Sequence, residues 1–146
     1  MTAERLFPIL NLLAIAGWLP LLFVPRARWA TTTVPAAVAV LLAVAYVALI
    51  AASVPGGAGG FASLADVRLL FADDLALLAG WAHYLDFDLL VGAWEVRDAR
   101  RRGIRHVLVV PALALTFLLG PAGLLVYLAV RAVASRRDGV ARERAA

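Results

Sequence analysis

The sequence predicts an all-α membrane protein folded as a bundle of four transmembrane helices, and three observations support this class. Apolar residues make up 64% of the 146 residues and occur in long runs. Four of these runs approach the length of about 20 residues that a helix needs to cross a bilayer. The chain has no cysteine and only two histidines, which excludes disulfides, thiolate metal sites and His-rich diiron clusters. We therefore expect residues 1–146 to form a single membrane domain.

The first two predicted spans are the most apolar. The first covers about residues 6–24, with Asn11 as its only strongly polar side chain. It is too long for the core of a signal peptide, so we expect it to be retained. The second covers about residues 34–54 and consists almost entirely of Ala, Val and Leu. Its small residues recur at the four-residue spacing that lets membrane helices approach closely.

The third predicted span, about residues 74–96, carries five polar residues: His83, Asp86 and Asp88 lie deep in the span, and Asp74 and Glu95 lie near its ends. It follows a segment rich in Pro and Gly, residues 55–60, that predicts a flexible connection. An ionised carboxylate near the bilayer centre costs about 2.5–3.5 kcal/mol or more. Such groups are therefore expected to have a partner, a cavity or a function.

Helical periodicity divides the polar residues of the third span between two sides. At about 100° per residue, one stripe contains Asp74, Trp81, Asp88 and Glu95, and a second, roughly opposite, contains His83, Asp86, Leu90 and Trp94. We expect one stripe to face the interior of the bundle and the other to face a neighbouring helix or a second copy of the chain. A homo-oligomer is therefore one expected partner.

The fourth predicted span, about residues 107–130, is expected to be kinked. Pro121 has no N–H to donate to the carbonyl of Phe117, one turn earlier. The span follows a basic loop, residues 97–105. With four spans the 14 arginines divide into seven on each side, so their count does not decide the orientation, although charge density in short loops favours a cytoplasmic 97–105 loop.

Basic charge beside apolar spans is typical of contact with the bilayer and its anionic headgroups, and we expect no nucleic-acid partner. Similar details in spans one and three, and in two and four, suggest two related two-helix halves. The arginine-rich, lysine-free composition suggests a bacterial protein, and therefore the inner membrane.

Each deep polar side chain has a structural and a functional interpretation. Asp88 either handles protons or is held by an arginine or by hydrogen bonds to Asn11, Tyr46 or Tyr127. His83 either donates to a backbone carbonyl or to Asp86, or acts as a general acid or base. Trp81 and Phe87 either pack in the core or line a slot for a long apolar ligand.

Metal and haem binding are not expected, and neither is any other cofactor. His83 and His106 differ in depth by roughly 15–20 Å, too far for two axial ligands of one haem. His83 and Asp88 point about 140° apart on one helix, which is poor geometry for a shared metal ion.

The third span also carries a recognisable motif, which reads Leu70-Phe71, Gly80-Trp81-Ala82-His83-Tyr84-Leu85 and Phe87-Asp88-Leu89, with Gly92 and Trp94. With these residues the chain resembles the neoxanthin-synthase-like membrane proteins, known in plants as the abscisic-acid-deficient family and also found in bacteria. The resemblance continues through Arg105-His106, Pro111, Thr116-Phe117 and residues 120–125, and extends more weakly to Asn11, Trp18, Pro25 and Arg26.

The resemblance implies four spans and conversion of violaxanthin to neoxanthin, an isomerisation that opens an epoxide and leaves an allene without a redox cofactor. His83 and Asp88 are implied as the acid/base pair. The residues implied to bind the substrate are Asn11, Trp81, Asp86, Phe87, Trp94, Glu95, His106 and Thr116. One departure is Ala93, where members of the family often have Arg, so a charge partner for the carboxylates is missing.

Three functions remain open at this point. The leading expectation is a membrane protein that binds and isomerises a carotenoid or another polyisoprenoid. The first rival is a non-catalytic module that holds pigment or another enzyme. The second is a small proton-coupled transporter, for which short spans, a carboxylate within the membrane and balanced arginines suit a dual-topology dimer.

Overall fold

The computed structural model describes residues 2–53 and 59–143, with side chains up to residue 135. Over these residues the chain is all-α, as predicted, and has no strand. The helices are α1 (Ala3–Phe23), α2 (Val34–Ser53), α3 (Leu64–Leu70), α4 (Asp74–Arg101), α5 (His106–Leu119) and α6 (Pro121–Glu143). A π-helical turn, Trp29–Thr33, leads directly into α2. The flexible connection predicted at 55–60 lies mostly outside the described residues.

Three helical segments are long and apolar enough to cross a membrane: α1, Trp29–Ser53 and α4. The prediction of four spans is thereby corrected to three among the described residues. The predicted fourth span, 107–130, is divided into the shorter helices α5 and α6. The break has two causes, because Gly120 adopts a φ of +49°, which favours glycine, and Pro121 cannot donate a backbone hydrogen bond.

Helices α5 and α6 fold back on each other as a hairpin. The backbone and side chain of Thr116 in α5 lie so close to Gly123 in α6 that a Cβ atom at position 123 would overlap them. The chain enters α5 beside the end of α4, where the Ile104 N–H donates to the Ala99 carbonyl. It returns to the same end of α4 through α6. The tip of the hairpin, at Gly120, lies beside Asp88, half-way along α4.

An ion-pair cluster on the buried Asp98 connects the returning helix to α4. The Tyr127 hydroxyl donates to Asp98 Oδ2 over 2.7 Å. Arg102 Nε and Arg131 Nε lie 2.8 and 3.3 Å from the same oxygen. The Arg131 guanidinium also lies 5.9 Å from the centre of the Trp94 ring, within cation–π range. Arg131 is therefore placed with the basic loop and not on the opposite side of the bundle.

Helix α4 lies at the centre and packs against α1, α2, α5 and α6. Glycines permit the closest approach to α1: Trp18 occupies the space above Gly92, and Leu89 the space above Gly17. Helix α1 runs parallel to α4, since Phe7 meets Trp81 near one end and Trp18 meets Gly92 further along. This arrangement places one long side of α1 next to both α4 and α5.

Replacement of Gly123 by Ala is expected to destabilise the protein by at least about 2 kcal/mol, because overpacking forces a rigid backbone contact apart. In an unhindered helix the same change would stabilise the protein by about 1 kcal/mol. Destabilisation would therefore itself indicate the close contact with Thr116. Thermal unfolding in detergent measures it. Gly60→Ala is the matched control, since nothing lies within 4 Å of a Cβ atom there. Equal melting temperatures for the two variants would contradict the hairpin contact.

Candidate functional site

A groove between α1 and the central helix begins at the end where both helices start. Its first section is a cavity of about 710 Å³. Phe7 of α1 and Trp81 and Tyr84 of α4 form apolar walls, and the carboxylates of Glu4 and Asp74 lie at its outer end. The exposed fractions of Phe7 and Trp81 are 45% and 37%, so this section is open toward the lipid.

A second section is a separate cavity of about 370 Å³ further along α1, between α1 and α5. Ile15, Trp18 and Leu22 line it from α1, and Leu113 and Phe117 line it from α5. Both sections use the same side of α1, where lining residues recur at helical spacing from residue 3 to residue 22. At 1.5 Å per residue this distance is about 28 Å, close to the hydrocarbon thickness of about 30 Å. The two sections share no lining residue, but they lie on one side of α1 and together extend over a length close to that of the bilayer core.

A polar link lies between the two sections. Trp81 Nε1 donates to Asn11 Oδ1 over 3.1 Å, and Asn11 Nδ2 donates to the Phe7 carbonyl over 2.8 Å. The Trp81 ring lies 5.6 Å from the ring of Phe7 and 5.2 Å from that of Tyr84. These contacts hold the indole in the wall of the groove.

Tyr84 connects the groove to the break between α5 and α6. Its hydroxyl donates to the Phe117 carbonyl over 3.3 Å, and this is the carbonyl that Pro121 leaves without its helical partner. The Asp88 carboxylate lies next to the same hydroxyl, one turn later in α4. Asp88 is 9% exposed, and its Oδ2 atom has no hydrogen-bond partner among the described residues. Tyr84 thus separates a buried, incompletely paired carboxyl group from the groove.

A second carboxyl group is buried under the hairpin. Glu95 is fully buried, and Thr116 Oγ1 donates to its Oε1 over 3.0 Å. Its Oε2 atom has no partner in the described part of the chain. Buried polar atoms are almost always paired in native structures, so two exceptions on one stripe make this part of α4 a candidate functional region.

The other predicted stripe of α4 faces away from the groove. The His83 ring lies 4.4 Å from that of Phe87 and 5.8 Å from that of Tyr46 in α2. Asp86 is 8% exposed, and its Oδ1 has no partner among the described residues. His83 and Asp88 are therefore not brought together, and their role as an acid/base pair stays a prediction.

The remaining predicted residues lie at separate places. Trp94 packs edge-on against Tyr127, with ring centres 5.4 Å apart, and His106 Nε2 lies 2.9 Å from the Leu22 carbonyl at the far end of the groove. Asn11 and Trp81 thus lie together at the groove, while Asp88 and Glu95 are buried against the hairpin, to which Thr116 belongs. No three His, Asp or Glu side chains of the described residues are grouped as a metal site would require.

Sequence reasoning missed Tyr84, Phe7 and Phe117 as groove residues. Tyr84 had a signal, since it lies three residues after Trp81 and four before Asp88, on the same side of a helix. Phe7 and Phe117 had none, because they come from other helices and reach the groove only through tertiary packing.

Comparison with known proteins identifies one related family. The family model described as ABA DEFICIENT 4-like matches residues 5–127. The matched range contains most of the groove, Asp88 and the hairpin tip. No curated protein and no solved structure gives a significant match.

Proposed function

The chain belongs to the ABA DEFICIENT 4-like family, and on that premise we propose that it is a neoxanthin-synthase-like membrane protein that binds and isomerises a carotenoid or another polyisoprenoid. The observation that carries this proposal is the groove along α1, with Tyr84 in its wall and the Asp88 carboxyl group next to the Tyr84 hydroxyl. A groove of this kind would place a long apolar ligand beside Tyr84, whose hydroxyl lies next to the buried Asp88 carboxyl group.

The polarity of the groove supports a ligand with polar ends and an apolar middle. Glu4 and Asp74 lie at one end, and His106 lies beside Leu22 at the other. Between them the walls are aromatic and aliphatic, apart from the paired Asn11 and Trp81 side chains. A polyene with oxygenated end rings has this distribution of polar atoms. The bilayer supplies such ligands, and the exposed groove residues face it.

The reaction class requires two proton movements and no net change in atoms. One proton leaves a carbon atom beside the epoxide, and its electron pair forms the second double bond of the allene. The epoxide C–O bond breaks, and the oxygen takes up a proton. We assign both proton movements to Asp88, acting through the Tyr84 hydroxyl. The pair gives one proton to the epoxide oxygen, and the proton removed from the carbon atom replaces it. The dyad therefore ends the cycle as it began.

A second candidate, proton-coupled transport, is favoured by a different observation. A broken helix pair beside unpaired, buried carboxyl groups is a feature of ion-coupled transporters. Asp88 lies against such a break at Gly120, and Glu95 is buried nearby. Proton uptake into vesicles containing the purified protein, driven by an imposed gradient of a candidate solute, would favour this rival.

A pigment assay tests the leading proposal. The protein is expressed in cells that make carotenoids with or without epoxidised rings, purified in mild detergent, and extracted for chromatography. Co-purified pigment together with a new isomer in the epoxide-forming cells is the expected result. Pigment that is bound but unchanged would instead support a non-catalytic binding module. If neither bound pigment nor a new product is found, the proposal is overturned for this class of ligand.

Filling the groove provides a sharper form of the same test. Ala114 is exposed and lines the section between α1 and α5, so Ala114→Trp is expected to block the groove without entering the core. We expect at least a tenfold loss of bound pigment. Ala129→Trp is the matched control, because Ala129 is an exposed alanine on α6 away from the groove. Equal pigment retention by both variants would contradict the assigned binding site.

A further inference from the structure

Positive charge is concentrated at the end of the bundle where α4 meets the basic loop. The arginines there come from three segments that the fold brings to this end: Arg26, Arg28, Arg97, Arg100, Arg101, Arg102, Arg105 and Arg131. Within the described part of the chain, Asp98 is the only carboxylate that forms ion pairs, and it is shared by Arg102 and Arg131. The described side chains therefore leave most of this positive charge unneutralised.

One of these arginines is fixed in place by the π-helical turn. Arg97 Nη1 donates to the Thr31 carbonyl over 2.7 Å, and the Thr31 hydroxyl donates to the Ala27 carbonyl over 3.3 Å. A guanidinium group has five N–H donors, and Arg97 makes this single hydrogen bond to the described residues. The side chain is only partly buried. Its guanidinium is thus held in position while most of its donors stay available to a ligand.

Two further arginines lie beside Arg97. Arg101 is exposed one turn later on α4 and is close enough to act electrostatically on Arg97. Arg28 is exposed and directly precedes the π-helical turn that contains Thr31. Like charges on Arg97 and Arg101 repel each other, and a bound anion would remove this repulsion. Guanidinium groups suit phosphate in particular, because they can donate two parallel hydrogen bonds to its oxygen atoms.

The depth of these residues matches that of lipid phosphates. Arg97 lies 23 residues after Asp74, the first residue of α4, which is about 35 Å along the helix and beyond a hydrocarbon core of about 30 Å. Trp29, next to Arg28, is 53% exposed, as is common for aromatic residues at the membrane surface. Leu90 is 41% exposed and lies seven residues before Arg97, on the same side of α4. Apolar surface therefore leads from the arginines toward the bilayer centre.

We propose that Arg28, Arg97 and Arg101 bind the headgroup of an anionic phospholipid, with its phosphate diester against the Arg97 guanidinium and an acyl chain passing Leu90. Charge complementarity selects an anion, and the adjoining apolar surface at headgroup depth selects a lipid over a soluble phosphate. The site lies at the opposite end of α4 from Asp74 and the cavity beside it. The inference is independent of the proposed reaction.

Native mass spectrometry of the full chain in detergent micelles tests the site, with phosphatidylglycerol and phosphatidylcholine of identical acyl chains as probes. Phosphatidylglycerol is expected to bind at least about fivefold more tightly, and Arg101→Gln to weaken its binding by about fivefold, as is typical for one arginine at a membrane surface. Arg105→Gln is the matched control. Arg105 is an exposed arginine of the same loop, but it lies at the start of α5, where His106 contacts Leu22 of α1. Its replacement should leave binding nearly unchanged.

Three results would overturn the proposal. Equal affinities for the two lipids would exclude an anionic site, and equal losses with Arg101→Gln and Arg105→Gln would show that only the total charge matters. Displacement of the lipid by inorganic phosphate at the same concentration would assign the arginines to a soluble anion. Arg28→Gln provides a second variant, in a different segment, if Arg101→Gln disturbs the end of α4. It is expected to weaken phosphatidylglycerol binding in the same direction.

Discussion

Asp88→Asn is expected to reduce the turnover of an epoxidised carotenoid by about 100-fold or more, since a positioned acid/base group contributes about 10²–10⁴-fold. The amide preserves the size of the side chain next to Tyr84 and Gly120 but cannot exchange a proton. Turnover is measured by chromatography of the new isomer, normalised to pigment bound. Retained binding together with lost turnover would separate chemistry from ligand affinity.

Asp86→Asn is the matched control for this prediction. Asp86 lies two residues away, is equally buried, and also has an unpaired oxygen, but it belongs to the other stripe of α4. Near-normal turnover is expected for it. If both amide variants lost activity equally, the effect would be a general consequence of removing a buried carboxyl group, and the assignment of Asp88 would fail.

Tyr84→Phe and His83→Ala complete the comparison. Tyr84→Phe removes the hydroxyl that lies between Asp88 and the groove, so we expect a loss of turnover approaching that of Asp88→Asn. Without the hydrogen bond to the Phe117 carbonyl, the free energy of unfolding should also fall by about 1 kcal/mol. His83→Ala is expected to retain most turnover, because the His83 ring lies near Tyr46 and Phe87. A large loss with His83→Ala would instead support the acid/base role that the family resemblance implies.

The second large effect concerns topology, and its expected outcome is qualitative. A reporter inserted after Gly103 and one fused after Ser135 are expected to lie on the same side of the membrane, whereas one inserted after Gly60 lies on the other. The reason is the hairpin, in which Arg131 returns to Asp98 at the basic end of α4. A fourth span would place the reporters at 103 and 135 on opposite sides.

The hairpin also changes the expected orientation of the chain in the membrane. It moves Arg131 to the side of the basic loop, and α6 continues in the same direction to Glu143. Arg5 and Arg68 remain on the opposite side. The excess of arginine then predicts that the loop faces the cytoplasm. If the reporter at 103 were found equally on both sides of the membrane, the result would contradict this orientation and favour the dual-topology transporter.

Much of the fold was predictable from local pattern. Apolar runs predicted the three segments that are long and apolar enough to cross a membrane, together with a fourth that the structure divides into two helices. Helical periodicity separated Asp88 and Glu95 from His83 and Asp86 on α4. Pro121 predicted that the Phe117 carbonyl would lose its helical partner, and the structure shows that carbonyl accepting a hydrogen bond from Tyr84. These features depend on spacing and on backbone chemistry, which a single sequence contains.

The direction of the chain after Gly120 was decided only by tertiary structure. A Gly-Pro pair interrupts a helix, but it does not specify whether the next helix continues across the membrane or turns back. The turn depends on contacts between residues far apart in the sequence: Tyr127 and Arg131 with Asp98, and Gly123 with Thr116. The groove arises in the same way, because Phe7, Tyr84 and Phe117 become neighbours only when α1, α4 and α5 pack together. Local sequence determines which segments are helical and which stripe is polar, whereas packing determines what each stripe faces, since that depends on distant side chains.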